Sequence, residues 1–269
     1  MNYYGNPISE GRHKNVSDRT NEIAERVNIE LQQTLRPHFL QRLKSVEFKD
    51  ELPEKREIVV WTHLSEHQRK LYENYVEHGG KVNSILAGEV SSPLEAISWL
   101  KKLCGHPSLV LWDQDGWHEL KDNVDVDYMK LVSDSAKLKV LVDLLRRLKK
   151  SGHRTLVFSQ STKILDIIER VLHPKGLVLS RIDGSTKERD RQRNVDDFNG
   201  EESGVDVMLL STKAAGLGLT LTGADRCVVY DPSWNPAEDS QAVDRCFRIG
   251  QTKRVTVYRF ITAGTVEER

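Results

Sequence analysis

The sequence predicts an α/β fold, namely a doubly wound, mainly parallel sheet flanked by helices and preceded by a mostly helical region. From Ser135 onwards, short apolar runs alternate with amphipathic segments of helical period. Runs such as 156–158 and 207–210 are continuously apolar, as strands are when helices cover both faces of their sheet. The short connections between these segments favour parallel strands joined by right-handed crossovers.

The composition excludes several classes of protein. The 269 residues include 40 Lys plus Arg and 40 Asp plus Glu, so any surface that binds nucleic acid must be local. No run reaches the roughly 18 to 20 apolar residues of a membrane-spanning helix. Cys104, Cys227 and Cys246 are far apart and lack C-x-x-C spacing, and the histidines lack ligand spacing. We therefore predict no membrane contact, no disulfide and no metal site.

Residues 1–57 are predicted to be a helical tail of a domain whose body lies elsewhere. Apolar residues recur at every fourth position from Ile23 to Leu35, which indicates a helix over 21–39. This segment is predicted to carry no strand of its own.

Residues 58–134 are predicted to connect this tail to the sheet domain. The predicted elements are a strand over 58–61 and helices over 65–77 and 93–104. The Asp115-Gly116 pair between apolar flanks is a strong hairpin signal, so a β-hairpin is predicted over 110–120.

Residues 135–269 are predicted to form the sheet domain itself. In chain order, the predicted elements are helix 136–150, strand 155–159, helix 163–172, strand 177–182, helix 187–198, strand 207–210, strand 227–230, a short helix over 241–248 and strand 255–261.

Four of these strands are followed by polar or glycine-containing sequences, and the carboxyl ends of parallel strands meet at one edge of a sheet. The four sequences begin at Gln160, Asp183, Ser211 and Asp231. Hydroxyls and glycine-exposed amides at strand ends suit phosphate groups. Each sequence alone has a plainer interpretation, such as a turn with a helix cap. The glycines at 216 and 218 lack the third glycine of a dinucleotide site.

The short helix over 241–248 carries Gln241, Arg245 and Arg248 within about a third of its circumference. Two adjacent guanidinium groups repel each other, and their planar donor sets match phosphate oxygens well. This spacing indicates a pair of arginines that face an anion. The alternative is a solvated basic face.

The order of these blocks resembles the second RecA-like lobe of superfamily two helicase-like ATPases, in detail the Swi/Snf-type DNA translocases nearest the PICH and Cockayne syndrome group B branch. The blocks that carry the resemblance are 154–160 (motif IV), 181–186, 210–220 (motif V), 231–236 with 241–251 (motif VI), and the lobe-joining segments 36–44 and 100–107.

The resemblance implies that Gln241, Arg245 and Arg248 face ATP with Mg²⁺ bound mainly by a first lobe, beside the backbone of Gly216 and Gly218. It also implies contacts to the backbone of double-stranded DNA. The residues implied in those contacts are Gln160, Ser185, Thr186, Ser211, Thr212, Lys213 and Trp234.

The sequence contains no G-x-x-x-x-G-K-[ST] loop and no Asp-Glu pair after an apolar strand. We therefore expect the chain to need a missing N-terminal RecA-like lobe and to hydrolyse no ATP alone. The resemblance further implies a nuclear protein that acts on DNA-bound partners such as nucleosomes. Two alternatives remain open, namely a non-catalytic module that binds DNA or a protein, and a lobe of an RNA helicase.

Overall fold

A computed structural model describes residues 2–13, 16–40, 52–77, 93–112, 117, 127–216 and 218–268. The chain divides into two compact units, Met1–Glu51 and Leu52–Arg269.

The first unit consists of two helices, α1 (Asn2–Glu10) and α2 (Asp18–Leu35), followed by a 3-10 turn at Arg36–His38. The hydroxyl of Ser17 caps α2 by accepting a hydrogen bond from a backbone N–H of its first turn. Pro37 ends the α-helix because it has no N–H to continue the ladder. The helix predicted over 21–39 is therefore confirmed over most of its length. None of the described side chains in this unit is buried.

The second unit is a wholly parallel, six-stranded sheet with helices on both faces. In chain order its elements are β1 (Lys55–Thr62), α3 (Glu66–Glu77), α4 (Pro93–Gly105), α5 (Ser108–Leu111), α6 (Tyr128–Asp134), α7 (Ala136–Lys150), β2 (Thr155–Ser159), α8 (Thr162–Leu172), a 3-10 turn (His173–Lys175), β3 (Leu179–Ile182), α9 (Glu188–Asn199), β4 (Val207–Ser211), α10 (Thr212–Ala215), β5 (Arg226–Val229), α11 (Pro236–Val243), β6 (Val255–Thr262) and a 3-10 turn (Val266–Glu268). The strand order is β1-β6-β5-β2-β4-β3. The predicted α/β fold is confirmed.

Two hydrophobic cores lie on opposite faces of this sheet, and strand β2 contributes to both. Val157 packs with residues of α7 and α8, whereas Leu156 and Phe158 pack with residues of α9 and α11. All residues of β2 and β4 are buried, which explains why both strands appear in the sequence as continuous apolar runs. Burial of each Leu, Val or Phe side chain contributes about 1.5–3 kcal/mol.

Strand β1 belongs to the same sheet and begins at Lys55, so the prediction that residues 1–57 carry no strand is wrong. The sequence predicted only a short strand over 58–61 in the connecting region. It pairs in parallel with β6, from Lys55 opposite Val255 to Thr62 opposite Thr262. The two strands are far apart in the chain, so no local pattern could reveal that they are neighbours. The connecting region therefore supplies the edge strand of the sheet.

The hairpin predicted over 110–120 is wrong for the residues that the structure describes. Val110 and Leu111 end helix α5, and their N–H groups donate to the carbonyl of Pro107 at 3.0 and 3.1 Å. Trp117 packs edge-on against Trp112, with ring centroids 5.2 Å apart, and is buried. The helical hydrogen bonds of α5 and the packing of buried Trp117 outweighed the local turn signal. The Asp-Gly pair itself lies outside the described residues.

All three cysteines are free and buried. Within the described ranges, no helix is long and apolar enough to cross a membrane. The same ranges contain no group of three or more His, Cys, Asp or Glu side chains arranged to hold a metal ion.

His106 follows helix α4 and is fully buried. Its Nδ1 accepts a hydrogen bond from the N–H of Ser108 at 3.1 Å, so the proton of the neutral ring lies on Nε2, which donates to the carbonyl of Leu131 at 3.0 Å. Burial lowers the pKa of His106 to about 4. The ring is therefore a neutral hydrogen-bonding bridge between α6 and the segment before α5.

We expect the free energy of unfolding to fall as the pH drops from 6.5 towards 4, because the unfolded chain binds a proton that buried His106 does not. The folded pKa is depressed, so the stabilisation is present above the unfolded pKa and is lost on acidification. The two pKa values differ by an amount worth about 3 kcal/mol. Urea unfolding across this pH range should show a shallower pH dependence in His106→Gln. An equal pH dependence in both proteins would contradict this account.

Candidate functional site

The carboxyl ends of all six strands open on one edge of the sheet, because the strands are all parallel. The loops that follow β5, β2, β4 and β3 are neighbours in that order along the edge. These are the four loops in which the sequence placed its candidate residues.

Arg245 and Arg248 lie in tight turns after α11, and the prediction that a helix carries them is wrong. Pro236 occupies the first turn of α11, and the helix ends at Val243. Beyond it, the N–H of Arg245 donates to the carbonyl of Ala242 at 3.2 Å, a shorter-range bond than an α-helix makes. Gln241 lies in the last turn of α11 and is exposed.

Gln251 explains why the chain leaves the helix at this point. It is buried, and its Nε2 donates to the carbonyls of Ala224 at 2.7 Å, Thr222 at 3.2 Å and Cys246 at 3.2 Å. Gly250 has φ of +97°, a left-handed conformation that favours glycine, and it turns the chain into position for these bonds. The turns that carry Arg245 and Arg248, which we call the arginine turns, are thus attached to the segment before β5 by tertiary hydrogen bonds.

Both guanidinium groups lie against the loop after β4, which we call the glycine loop (residues 216 and 218–220). Arg245 Nη2 donates to the carbonyl of Gly216 at 3.0 Å. Arg248 Nη1 donates to the carbonyl of Gly218 at 3.4 Å and to Thr220 Oγ1 at 3.2 Å. Gly218 has φ of +85°, which only glycine adopts readily. The structure therefore brings together the glycines and the arginines that the sequence assigned to one site.

The electrostatics of this turn suit an anion. Burial, followed by the nearby charge of Arg248, lowers the pKa of Arg245. Among the described residues, the buried Nε of Arg245 has no hydrogen-bond partner. A carbonyl oxygen accepts a hydrogen bond but carries no charge to neutralise a guanidinium. An oxyanion such as phosphate would relieve the repulsion between the two guanidinium groups.

Gln160 and Trp234 lie together on the wall of a cavity of about 330 Å³. The N–H of Gln160 donates to both carboxylate oxygens of Asp231, at 3.0 and 3.2 Å. Burial raises the pKa of Asp231 to about 6. Trp234 is 60% exposed and is therefore not a core residue. Lys101 lies with its Nζ 4.5 Å from the centre of the Trp234 ring.

The hydroxyls of Ser185 and Thr186 are engaged in their own turn. Ser185 Oγ donates to Asp183 Oδ1 at 2.6 Å, and Thr186 Oγ1 accepts from the N–H of Asp183 at 3.0 Å. Ser185 is nevertheless exposed, and Thr186 is half-buried. Their contact with DNA stays a prediction.

Ser211 ends β4, and Thr212 and Lys213 begin α10; of these three candidate residues, only Lys213 has an exposed side chain. Ser211 Oγ caps α10 by accepting from the N–H of Ala214 at 3.2 Å, and Ser211 and Thr212 are only 7% and 6% exposed. The sequence identified the loop, but it could not show which of its side chains point into the lobe.

A buried ion pair that the sequence did not reveal lies beneath the loop after β5. Lys137 Nζ lies 2.5 Å from Glu267 Oε2, and both side chains are only 1% exposed. Lys137 also donates to the carbonyl of Tyr230 at 3.2 Å, and Glu267 accepts from the N–H of Thr262 at 2.9 Å. The pair joins the start of α7 to the ends of β5 and β6. No local pattern could find it, because its members are far apart in the sequence.

Two family profiles match the chain, and they cover different parts of it. The profile described as "Helicase conserved C-terminal domain" matches residues 136–250, and "SNF2-related domain" matches residues 6–109.

Among curated relatives, "Protein CHROMATIN REMODELING 24" of Arabidopsis thaliana is 40% identical over 99% of this chain. "DNA excision repair protein ERCC-6" of Homo sapiens is 38% identical over 100% of it. The chain spans 26% and 18% of the lengths of these two relatives. A solved structure, the C-terminal part of the Fun30 ATPase domain, aligns with a TM-score of 0.71 and 27% identity over 81% of this chain and 88% of that chain.

We expect Glu267→Gln to lower the free energy of unfolding by about 3–5 kcal/mol, because it leaves the charge of Lys137 buried without its partner. The double variant Lys137→Met/Glu267→Gln should lose less than the sum of the single losses. Lys70→Met is the surface control, since Lys70 lies 2.9 Å from Glu66 with both side chains largely exposed, and it should cost under about 1 kcal/mol. Urea denaturation measures the unmodified protein, both single variants Glu267→Gln and Lys137→Met, the double variant and Lys70→Met. Additive losses would show that the buried pair is not coupled.

Proposed function

Because the chain belongs to the SNF2-related, Swi/Snf-type family of helicase-like proteins, we propose that it is the second RecA-like lobe of a nuclear, ATP-dependent translocase of double-stranded DNA. In this proposal the lobe supplies two arginine fingers and a set of DNA backbone contacts. A first lobe holds ATP and Mg²⁺. The parent protein moves DNA relative to nucleosomes or other bound proteins.

The observation that carries the proposal is the pair of guanidinium groups on the glycine loop. Arg245 and Arg248 follow each other on adjacent turns and bond to uncharged oxygens of that loop. Their positive charges therefore stay uncompensated by these bonds, beside a buried donor that has no partner among the described residues. The nearby charge of Asp244 raises the pKa of Arg245, but burial and the charge of Arg248 outweigh it, so the pair keeps the excess of positive charge that a phosphate-binding surface requires.

The chemistry available to this lobe is electrostatic. Bound ATP supplies the terminal phosphoryl group whose transfer to water drives the motor. Arg245 and Arg248 stabilise negative charge on that group as it leaves, and Gln241 is exposed on the preceding turn for a polar contact. Gly216 and Gly218 carry no side chain that would separate the backbone from the opposing lobe. These residues fit the nucleotide without any catalytic base from this chain.

The proposed DNA contacts are spread over four neighbouring strands. The implied residues, in sheet order from β5 to β3, are Trp234, Gln160, Ser211, Thr212, Lys213, Ser185 and Thr186. Neighbouring strands lie about 4.8 Å apart, so this row extends about 14 Å, the axial length of roughly four nucleotides of one DNA strand. Such a row positions the backbone of one strand without reading its sequence.

We expect Arg245→Ala and Arg248→Ala, made in a parent protein with both lobes, each to lower kcat for ATP about a thousandfold or more, the scale of a lost arginine finger. Affinity for duplex DNA should change little. Arg254→Ala is the matched control, because Arg254 lies in the same region with an exposed side chain near Glu54 and should retain normal turnover. Steady-state ATPase assays measure the rates. Normal turnover in both finger variants would remove the mechanism proposed here.

Trp234→Ala and Lys213→Ala should weaken the proposed DNA contacts and leave Arg245 and Arg248 in place. We expect each to raise the concentration of duplex DNA needed for half-maximal ATPase, because they remove an aromatic surface and a cation from the row of backbone contacts. Comparing duplex DNA with RNA as activator also separates the alternatives. Stimulation by RNA alone would indicate an RNA helicase, and no turnover with either would indicate a non-catalytic module.

The isolated chain should hydrolyse no ATP, because the residues that hold ATP and Mg²⁺ are proposed to lie on the first lobe. Phosphate release by the purified chain with duplex DNA should equal that of the Arg245→Ala/Arg248→Ala double variant. A higher rate in the unmodified chain would show that it binds and activates nucleotide by itself.

A further inference from the structure

We propose that Lys101 is a positioning residue for Trp234. From helix α4, Lys101 holds the indole of Trp234 in place among the proposed DNA contacts. The inference rests on the proposed function for the role of Trp234 in DNA binding, but its geometry is independent of that role. Lys101 belongs to the region before the sheet domain, where the sequence analysis placed no functional residue. It therefore adds a residue of the connecting region to the site.

One ammonium group makes two contacts to the loop that follows β5. Lys101 Nζ donates to the carbonyl of Pro232 at 2.7 Å and lies 4.5 Å from the centre of the Trp234 ring. A cation at this distance from an indole face is attracted by the negative face of the ring. The hydrogen bond fixes the backbone of the loop and the ring contact fixes its side chain. Lys101 thus restrains both the position and the orientation of the indole.

Trp234 needs such a restraint because it has little packing of its own. Its side chain is 60% exposed, whereas Lys101 is half-buried, so the lysine forms a floor beneath an otherwise projecting ring. An indole that is free to adopt several rotamers loses conformational entropy when it contacts a sugar or phosphate. Restraint by Lys101 removes that loss before DNA arrives.

Other hydrogen bonds fix the backbone of the loop on both sides of Trp234, and Lys101 adds the contact to the indole ring itself. On the β5 side, Asp231 accepts two bonds from the N–H of Gln160. On the helix side, the N–H of Ser233 donates to Asp239 Oδ2 at 3.0 Å. The loop then leads directly into α11 and the arginine turns. A fixed loop therefore connects the proposed DNA contacts to the two arginines that are proposed to face the nucleotide.

Lys149 provides a matched control elsewhere in the same unit. Its Nζ donates to the carbonyl of Gly176 at 2.7 Å, the distance of the bond from Lys101 to Pro232, and it also pairs with Asp206 Oδ2 at 2.7 Å. Lys149 lies at the end of α7, before β2 begins, and so lies at the opposite end of the sheet from the strand-end loops. A change of Lys149 to Met removes a comparable bond, together with the ion pair to Asp206, without touching the Trp234 loop.

The first test uses ¹⁹F NMR of the 269-residue chain labelled with 5-fluorotryptophan. Trp234→Phe identifies the resonance of Trp234 by its disappearance. We expect Lys101→Met to shift and broaden that resonance, Lys101→Arg to restore most of it, and Lys149→Met to leave it unchanged. Trp99 reports on α4 itself, because it stacks on Tyr75 with ring centroids 3.9 Å apart. An unchanged Trp99 resonance shows that the helix is intact in Lys101→Met.

The second test measures DNA-stimulated ATPase in the parent protein with both lobes. We expect Lys101→Met to raise the duplex DNA concentration for half-maximal activity about tenfold, the effect of losing one contact of this kind. Its maximal rate at saturating DNA should stay within about twofold, because the arginine turns are untouched. Lys101→Arg should recover most of the loss, and Lys149→Met should show none.

The two tests separate failure of the inference from failure of the proposed function. An unchanged Trp234 resonance in Lys101→Met overturns the inference, and so does a shifted resonance with an unchanged DNA requirement. A parent protein that duplex DNA does not stimulate overturns the proposed function instead. The ¹⁹F result then still decides whether Lys101 sets the position of the ring.

Discussion

The structure of the second unit depends on one constraint, which is that both faces of an all-parallel sheet must be kept from water. Each connection has to return to the starting edge of the sheet, and the helices that make these returns form the two cores on either side of β2. As a result, every strand ends at the same edge, and the loops that carry polar residues are brought together without any attraction between them. The buried Lys137–Glu267 pair adds a local connection beneath this edge, between the start of α7 and the ends of two strands.

The arginine turns show how a functional geometry is imposed against local preference. Arg245 and Arg248 repel each other, and neither receives a compensating charge from the oxygens of the glycine loop. The turns persist because the hydrogen bonds of Gln251 and the surrounding core hold the backbone in place. The free energy of these interactions offsets the repulsion between the two arginines. A site built in this way is preorganised, since its donors are in place before an anion reaches them.

Most of the sheet domain was predictable from sequence, because apolar periodicity is a local property that burial preserves. Strand β2 and helix α7 begin and end at the predicted residues. The features that were not predictable depend on partners distant in the chain. The helix predicted to carry Arg245 ended early because Gln251 binds carbonyls of a neighbouring segment, and the predicted hairpin failed because Trp117 is buried against another aromatic ring. Lys101 was missed for the same reason, since its partner Pro232 lies 131 residues later.

The pairing of β1 with β6 has a mechanical consequence. The chain enters β1 at Lys55 and leaves β6 at Thr262, at the opposite end of a ladder in which the two strands are parallel and in register. Tension between the segment before β1 and the segment after β6 therefore acts along the strands in opposite directions. In this shear geometry the inter-strand hydrogen bonds bear the load together, whereas a peeling force would break them one at a time. The edge strand is thus attached in the orientation that best resists being pulled away from the lobe.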